Sequence, residues 1–192
     1  VVASNDNNPA WVASDLMAQA EHDVNAQPIL ITDSNEFAKK VLSNINKLIK
    51  KLPKKNIINH SLKNNGIIIL LDNLENCIDI INYIAPEHLH IQIKSGKKLL
   101  NKIKNAGGIF LGEYSVEAFG DYIVGTNHVL PTSGSAKFSS GLSVLDFMKK
   151  SSIVEINRKS YKILKKDTEI MAEIEGLNAH KLSVKIRQNK KI

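Results

Sequence analysis

Gln19 and His22 stand three residues apart in a segment patterned as a helix, so both project from one face about a turn apart. Helices present pairs of metal ligands at this kind of spacing. Glu87-His88 follows Pro86 at a helix-to-strand junction, where irregular backbone lets side chains enter a cleft. A carboxylate beside an imidazole suits proton transfer near neutral pH. Adjacent residues in an extended segment point to opposite sides, so the two can serve different steps. Asp121 and His128 fall in the glycine-punctuated stretch from Gly120 to Gly141, and Glu175 and His180 flank a break at Gly176. Each group also has an ordinary reading. A His at a helix end more often caps carbonyls, Gln19 alone could be a surface residue, and an acid beside a His is more often simply exposed. Of the remaining histidines, His60 sits in a Lys/Asn-rich connection and reads as surface, while His90 has no assigned role.

The elements that must position these groups alternate. Asn8-Pro9 is a helix start, with Asn capping and Pro at the first helical position, and the helix runs to about Glu21 or His22. Gln27 to Thr32 is an apolar run suited to a buried strand, and Asp33-Ser34 then caps a helix through Phe37, Val41, Leu42, Ile45 and Leu48. A short helix around Ile57 to Leu62, a strand Ile67 to Leu71 and a helix carrying Cys77, Ile80 and Ile81 follow. Leu89 to Ile93 is the next strand, Ser95 starts a helix reaching Ile103 or Lys104, and Gly107 to Leu111 is a strand. Val1 to Ser4 reads as the second half of a strand whose beginning lies upstream. This rhythm predicts an α/β, Rossmann-like domain over residues 1–150, a largely parallel sheet flanked by helices. For the rest, 151–192, the pattern predicts a helical tail too thin for a core of its own, which must pack on the main domain or on another subunit. A short helix near Asp146 to Lys149 and a strand Ser152 to Ile156 precede tail helices from about Ser160 to Ile174 and Leu177 to Gln188.

From Gly120 onward the chain shows no sustained helical or strand period, and long irregular segments inside a domain are usually functional or disordered. Tyr122, Ile123, Val124, Val129, Leu130 and Phe138 speak against disorder, because apolar residues interleaved with polar ones call for burial.

Composition sets the outer bounds. A chain of 192 residues at 43% hydrophobic can bury a real core. The net charge of +7 raises the question of nucleic acid, but the lysines are scattered and the only arginines are Arg158 and Arg187. A solvated surface is the better reading, so no nucleic-acid or membrane partner is expected. The lone Cys77 has no partner thiol for a disulfide or a CxxC metal pair, which favours a reducing, cytoplasmic setting.

Five segments, DLMAQAEHD (Asp15 to Asp23), APEHL (Ala85 to Leu89), GDYIVGTNHVLPT (Gly120 to Thr132), SSGLSVLDF (Ser139 to Phe147) and EGLNAH (Glu175 to His180), together resemble the histidinol dehydrogenase family, in order and at compatible spacing. The resemblance covers essentially the whole chain, and corresponds to the C-terminal part, somewhat under half, of such an enzyme. It implies zinc-dependent oxidation of L-histidinol through an aldehyde to L-histidine, with two NAD+ as hydride acceptors. By the same resemblance the zinc ligands are Gln19, His22, Asp121 and His180, the last from the partner of a homodimer. His88 is then the base and Glu87 the activator of water. His128 and Glu175 join the ligands and His88 as substrate contacts, Glu175 also from across the interface.

The family's NAD-binding portion lies before Val1, and no GxGxxG follows any strand here. The chain alone is therefore expected to show no turnover. Three other readings stand beside this one: a non-catalytic metal-binding or dimerisation fragment, a zinc hydrolase, and a basic module that binds RNA.

Overall fold

The computed structural model describes residues 1–188. It divides into two compact units, Val1–Phe147 and the residues from Met148 onward. The first unit is a mixed α/β structure, built around parallel strands. In chain order it contains α1 (Pro9–Ala20), β1 (Ile29–Thr32), α2 (Asn35–Leu48), α3 (Lys55–Asn65), β2 (Ile67–Leu70), α4 (Cys77–Ile84), β3 (His88–Ile91), α5 (Gly96–Leu99), β4 (Gly108–Leu111) and α6 (Glu117–Tyr122). The second unit contains α7 (Arg158–Ile174) and α8 (Asn178–Lys185).

β1 pairs with β2 and β3 with β4, both in parallel. Val2 bridges the two pairs, in parallel with Ile31 on one side and Ile91 on the other. Its amide donates to the His90 carbonyl (2.8 Å) and its carbonyl accepts from Gln92 (2.9 Å), while Ala3 donates to Ile31 (3.1 Å) and Ile31 to Val1 (2.9 Å). The spatial order is therefore β2, β1, Val1–Ala3, β3, β4. The strand predicted at the start of the chain is this central segment.

Alternation along these strands sends neighbours to opposite faces. Ala3 and Leu30 pack with Val12, Leu16, Phe37, Val41 and Ile58 from α1, α2 and α3. Val2 and Ile31 pack on the other face with Cys77 and Ile81 of α4, Leu89, Ile91 and Leu99. Burying a side chain such as Phe37 stabilises by roughly 2–3 kcal/mol, so the two layers hold the strands from both sides. The caps follow the sequence: Asn8 accepts from Ala10 at α1, and Ser34 from Phe37 at α2.

Several expectations are corrected. The stretch after Gly120 is not wholly irregular, because Gly120 and Asp121 belong to the short helix α6, which ends just before Gly125 at φ +85. Tyr122, Ile123, Val124, Val129 and Phe138 are exposed in this chain, with Phe138 85% accessible; only Leu130 is half-buried. The strand predicted over Ser152 to Ile156 is irregular backbone, since it has no strand to pair with among the described residues, and Ile153 is 94% exposed. The helix predicted near Asp146 to Lys149 is a single 3-10 turn at Val144–Phe147. His22 lies just past α1 rather than on it. Residues 189–192, the end of the predicted tail, lie outside the described residues.

Candidate metal centre

α1 delivers Asp15 and Gln19 on successive turns, and its C-terminal turn at Glu21 releases His22. Glu87 and His88 open β3 directly after α4. The link between them is Ala85, a non-glycine residue in the left-handed region at φ 52 and fully buried, followed by Pro86. Such a conformation is costly for alanine and persists only where the surroundings impose it. Gly107 backs this turn, because a Cβ there would stand 2.6 Å from the Glu87 carbonyl oxygen.

β4 supplies Phe110, whose ring lies 6.0 Å from that of His88. α6 packs on the same ring through Gly120, where a Cβ would meet Phe110 carbons at 2.7 and 2.8 Å. That close approach carries Glu117 and Asp121, four residues apart on one helix face, to His88. Glu117 Oε1 stands 3.4 Å from His88 Nδ1 and 3.9 Å from His22 Nε2, and Asp121 Oδ1 stands 4.0 Å from His88 Nε2.

Hydrogen bonding decides the orientation of the Gln19 amide. With its nitrogen turned to Glu117, it donates to both carboxylate oxygens at 3.1 Å. The opposite orientation sets oxygen against acceptors. His88 Nε2 is buried and has no hydrogen-bond partner among the described residues. A second network lies behind: Gln92 donates to Asp15 Oδ2 (2.6 Å), which is 3.5 Å from His90 Nδ1, and His90 Nε2 faces the Gly112 carbonyl at 2.9 Å.

Electrostatics follow from this crowding. Burial, then the charges of Asp121, Glu87 and Asp15, push the Glu117 carboxyl up to about 7. Burial also raises Glu87, with His22 opposing it, and lowers His88, with Asp121 opposing it. An imidazole and several carboxylates thus gather in one place. His22, Glu117 and Asp121 each offer a ligand atom within 4.8 Å of one another, so the donor set fits a divalent metal of borderline softness such as zinc. Glu117 lines a cleft of about 680 Å³ together with Gln19, Glu87, His88 and Phe110, at the end of the sheet where the strands begin. Parallel α/β sheets usually bind ligands at the opposite, carboxyl end.

Gln19, His22, Glu87, His88 and Asp121 are thus brought together from separate parts of the chain. His128 lies exposed in the loop after α6. Glu175 and His180 belong to the second unit, where Glu175 ends α7 and His180 stands in the first turn of α8, both exposed. Sequence reasoning missed Glu117 and the pairing of Asp15 with His90. The available signal for Glu117 was its spacing of four from Asp121, visible only if a helix is placed there.

A model of the histidinol dehydrogenase family matches residues 1–188. Among curated relatives, the chain is 50% identical over 186 residues to a histidinol dehydrogenase of Caldanaerobacter subterraneus, covering 97% of this chain and 43% of the relative. It is 49% identical over 180 residues to that of Hydrogenovibrio crunogenus, covering 94% and 42%. The crystal structure of histidinol dehydrogenase from Elizabethkingia anophelis superimposes with a TM-score of 0.91 at 39% identity, over 97% of this chain and 43% of that one. The chain spans less than half the length of the relatives it matches.

Proposed function

Because the chain belongs to the histidinol dehydrogenase family, we propose that its cleft forms part of a site that oxidises L-histidinol to L-histidine, the closing steps of histidine biosynthesis. The observation that carries this reading is that Gln19, Glu87 and His88 line one cleft, with His22 3.9 Å from Glu117 and Asp121 4.0 Å from His88 beside it. The order β2, β1, Val1–Ala3, β3, β4, with helices on both faces, further supports a doubly wound, Rossmann-like sheet.

Gln19, His22 and Asp121 would hold zinc, with His180 from the partner of a homodimer. The ion supplies a positive centre that orients the substrate's imidazole and amine. NAD+ would supply the hydride acceptor. Within the chain, His88 Nε2 takes the hydroxyl proton as hydride leaves the alcohol carbon. Burial keeps the imidazole neutral and ready for that proton. To keep Nε2 free, Nδ1 retains its hydrogen and points it at Glu117. Glu87, its carboxyl raised by burial, then takes a proton from water as the oxygen adds to the aldehyde carbon. The hydrate gives up the second hydride, and its hydroxyl proton again goes to His88. His128 and Glu175 are substrate contacts, Glu175 holding the amine across the dimer interface.

The exposed apolar residues fit a shared assembly. Phe119, Tyr122, Ile123 and Phe138 on the first unit, and Ile163 and Ile174 on the second, are at least half exposed. Apolar surface on this scale marks contact with other polypeptide. No described helix is long and apolar enough to cross a membrane; cytoplasmic placement remains part of the proposal.

The test is zinc content and histidinol-dependent NAD+ reduction by the polypeptide of family length, with and without His22→Ala and Asp121→Ala. Loss of both metal and turnover supports the reading. Retention of full zinc and full rate contradicts it.

A further inference from the structure

Glu117 stands in the candidate metal group with His22 and Asp121 and faces His88, yet the proposed ligands Gln19, His22, Asp121 and His180 do not include it. Its side chain is 16% exposed, against 54% for His22, and its two oxygens each accept from the Gln19 amide nitrogen. An amide is planar, with nitrogen and oxygen on opposite edges. A nitrogen held at Glu117 therefore turns the Gln19 oxygen away from the carboxylate. Resting on the zinc reading above, we propose that Glu117 is a positioning residue that fixes the Gln19 amide with its oxygen presented to the metal.

Three observations support positioning over direct ligation. Both Glu117 oxygens carry Gln19 as donor, and Oε1 also faces His88 Nδ1. Its helix neighbour Asp121 stands on the Nε2 side of the same imidazole, so the two carboxylates of α6 take opposite edges of His88. A free glutamine amide presents oxygen or nitrogen with little preference, and nitrogen does not bind a divalent cation. An acceptor fixed behind it removes the unproductive half of its orientations and prevents a flip that would aim N–H groups at the ion. The carboxylate also links ligand to base, since a shift of Glu117 would disturb Gln19 and His88 together.

The experiment is a mutant cycle on the 192-residue chain, reading zinc affinity by chelator competition at fixed pH. Glu117→Gln loses one carboxylate acceptor, and Gln19→Glu sets two carboxylates face to face. The double variant exchanges amide and carboxylate, restoring a donor opposite an acceptor. Glu117→Gln is expected to weaken zinc by about 10-fold, the low end for groups supporting a metal ligand. The double variant should bind more tightly than the sum of the single effects predicts. Additive single effects overturn the proposal.

A second readout does not depend on zinc. In a metal-free ¹⁵N spectrum the Gln19 side-chain NH₂ pair should be displaced from the other glutamine amides and return toward them in Glu117→Ala. An undisplaced pair overturns the proposal. Should the unaltered chain bind no zinc, the metal reading fails while this amide signal still decides the role of Glu117.

Discussion

Glu117 and Asp121 grip opposite edges of His88, with Glu117 Oε1 at 3.4 Å from Nδ1 and Asp121 Oδ1 at 4.0 Å from Nε2. Their spacing of four on α6 makes this possible, because one helical turn spans the width of an imidazole. The proposed base is thus oriented by the helix that also carries a proposed metal ligand.

The proton-transfer roles predict a split between the two residues of the turn. In the polypeptide of family length, His88→Ala should abolish oxidation of both histidinol and its aldehyde. Glu87→Ala should retain more of the first oxidation than of the second. Single-turnover assays with each substrate check this, and equal loss on both substrates for Glu87→Ala counts against the division.

The raised Glu117 carboxyl predicts a pH dependence of stability in the metal-free chain. Its folded value of about 7 lies above the ordinary 4.5, so the folded state holds a proton that the unfolded state releases between those values. Stability from this group is full below about 4.5 and is lost as pH rises through about 7. Glu87, also raised, acts in the same direction; His88, lowered, opposes it near its ordinary value of 6.5. Urea midpoints at pH 5 and 7 should therefore fall more for the unaltered chain than for Glu117→Gln. Equal falls would show that the Glu117 carboxyl is not raised.

At Gly120 two effects have opposite signs. Helix propensity alone would make Gly120→Ala stabilising by about 0.5–1 kcal/mol. The new Cβ, however, meets the Phe110 ring at 2.7 Å, and overpacking of this kind costs about 1–3 kcal/mol. Net destabilisation in urea titration, with weaker zinc binding as α6 is pushed away, is the expected outcome. A net gain in stability would mean that α6 does not sit against Phe110.

The alternation of strands and helices was legible because short apolar runs bounded by caps such as Ser34 carry local signals. Gln19, His22, Glu87, His88 and Asp121 were legible as chemistry because their residue types and motifs stand out. Glu117 was not, since a lone acid in SVEAF has no local mark and gains its meaning only when Gly120 brings α6 onto Phe110. The misplaced strand at Ser152 to Ile156 has a related cause: β-branched residues favour extended backbone, but strand formation needs a neighbour. The apolar residues after Gly120 promised burial, yet Phe138 and Tyr122 are 85% and 82% exposed among the described residues.

Because the chain spans only 42% of one close relative, it is expected to bind zinc weakly on its own and to reduce no NAD+ with histidinol. Spectrophotometry of the purified chain checks this directly. Turnover by the chain alone would show that the cofactor site lies within it.

The most direct test of the metal centre is anomalous diffraction at the zinc edge from crystals of the chain grown with zinc. A peak is expected about 2.0–2.2 Å from an imidazole nitrogen of His22 and a carboxylate oxygen of Asp121, with the Gln19 oxygen in the same sphere. An empty cleft in zinc-loaded crystals, or a peak bound away from His22 and Asp121, would contradict it.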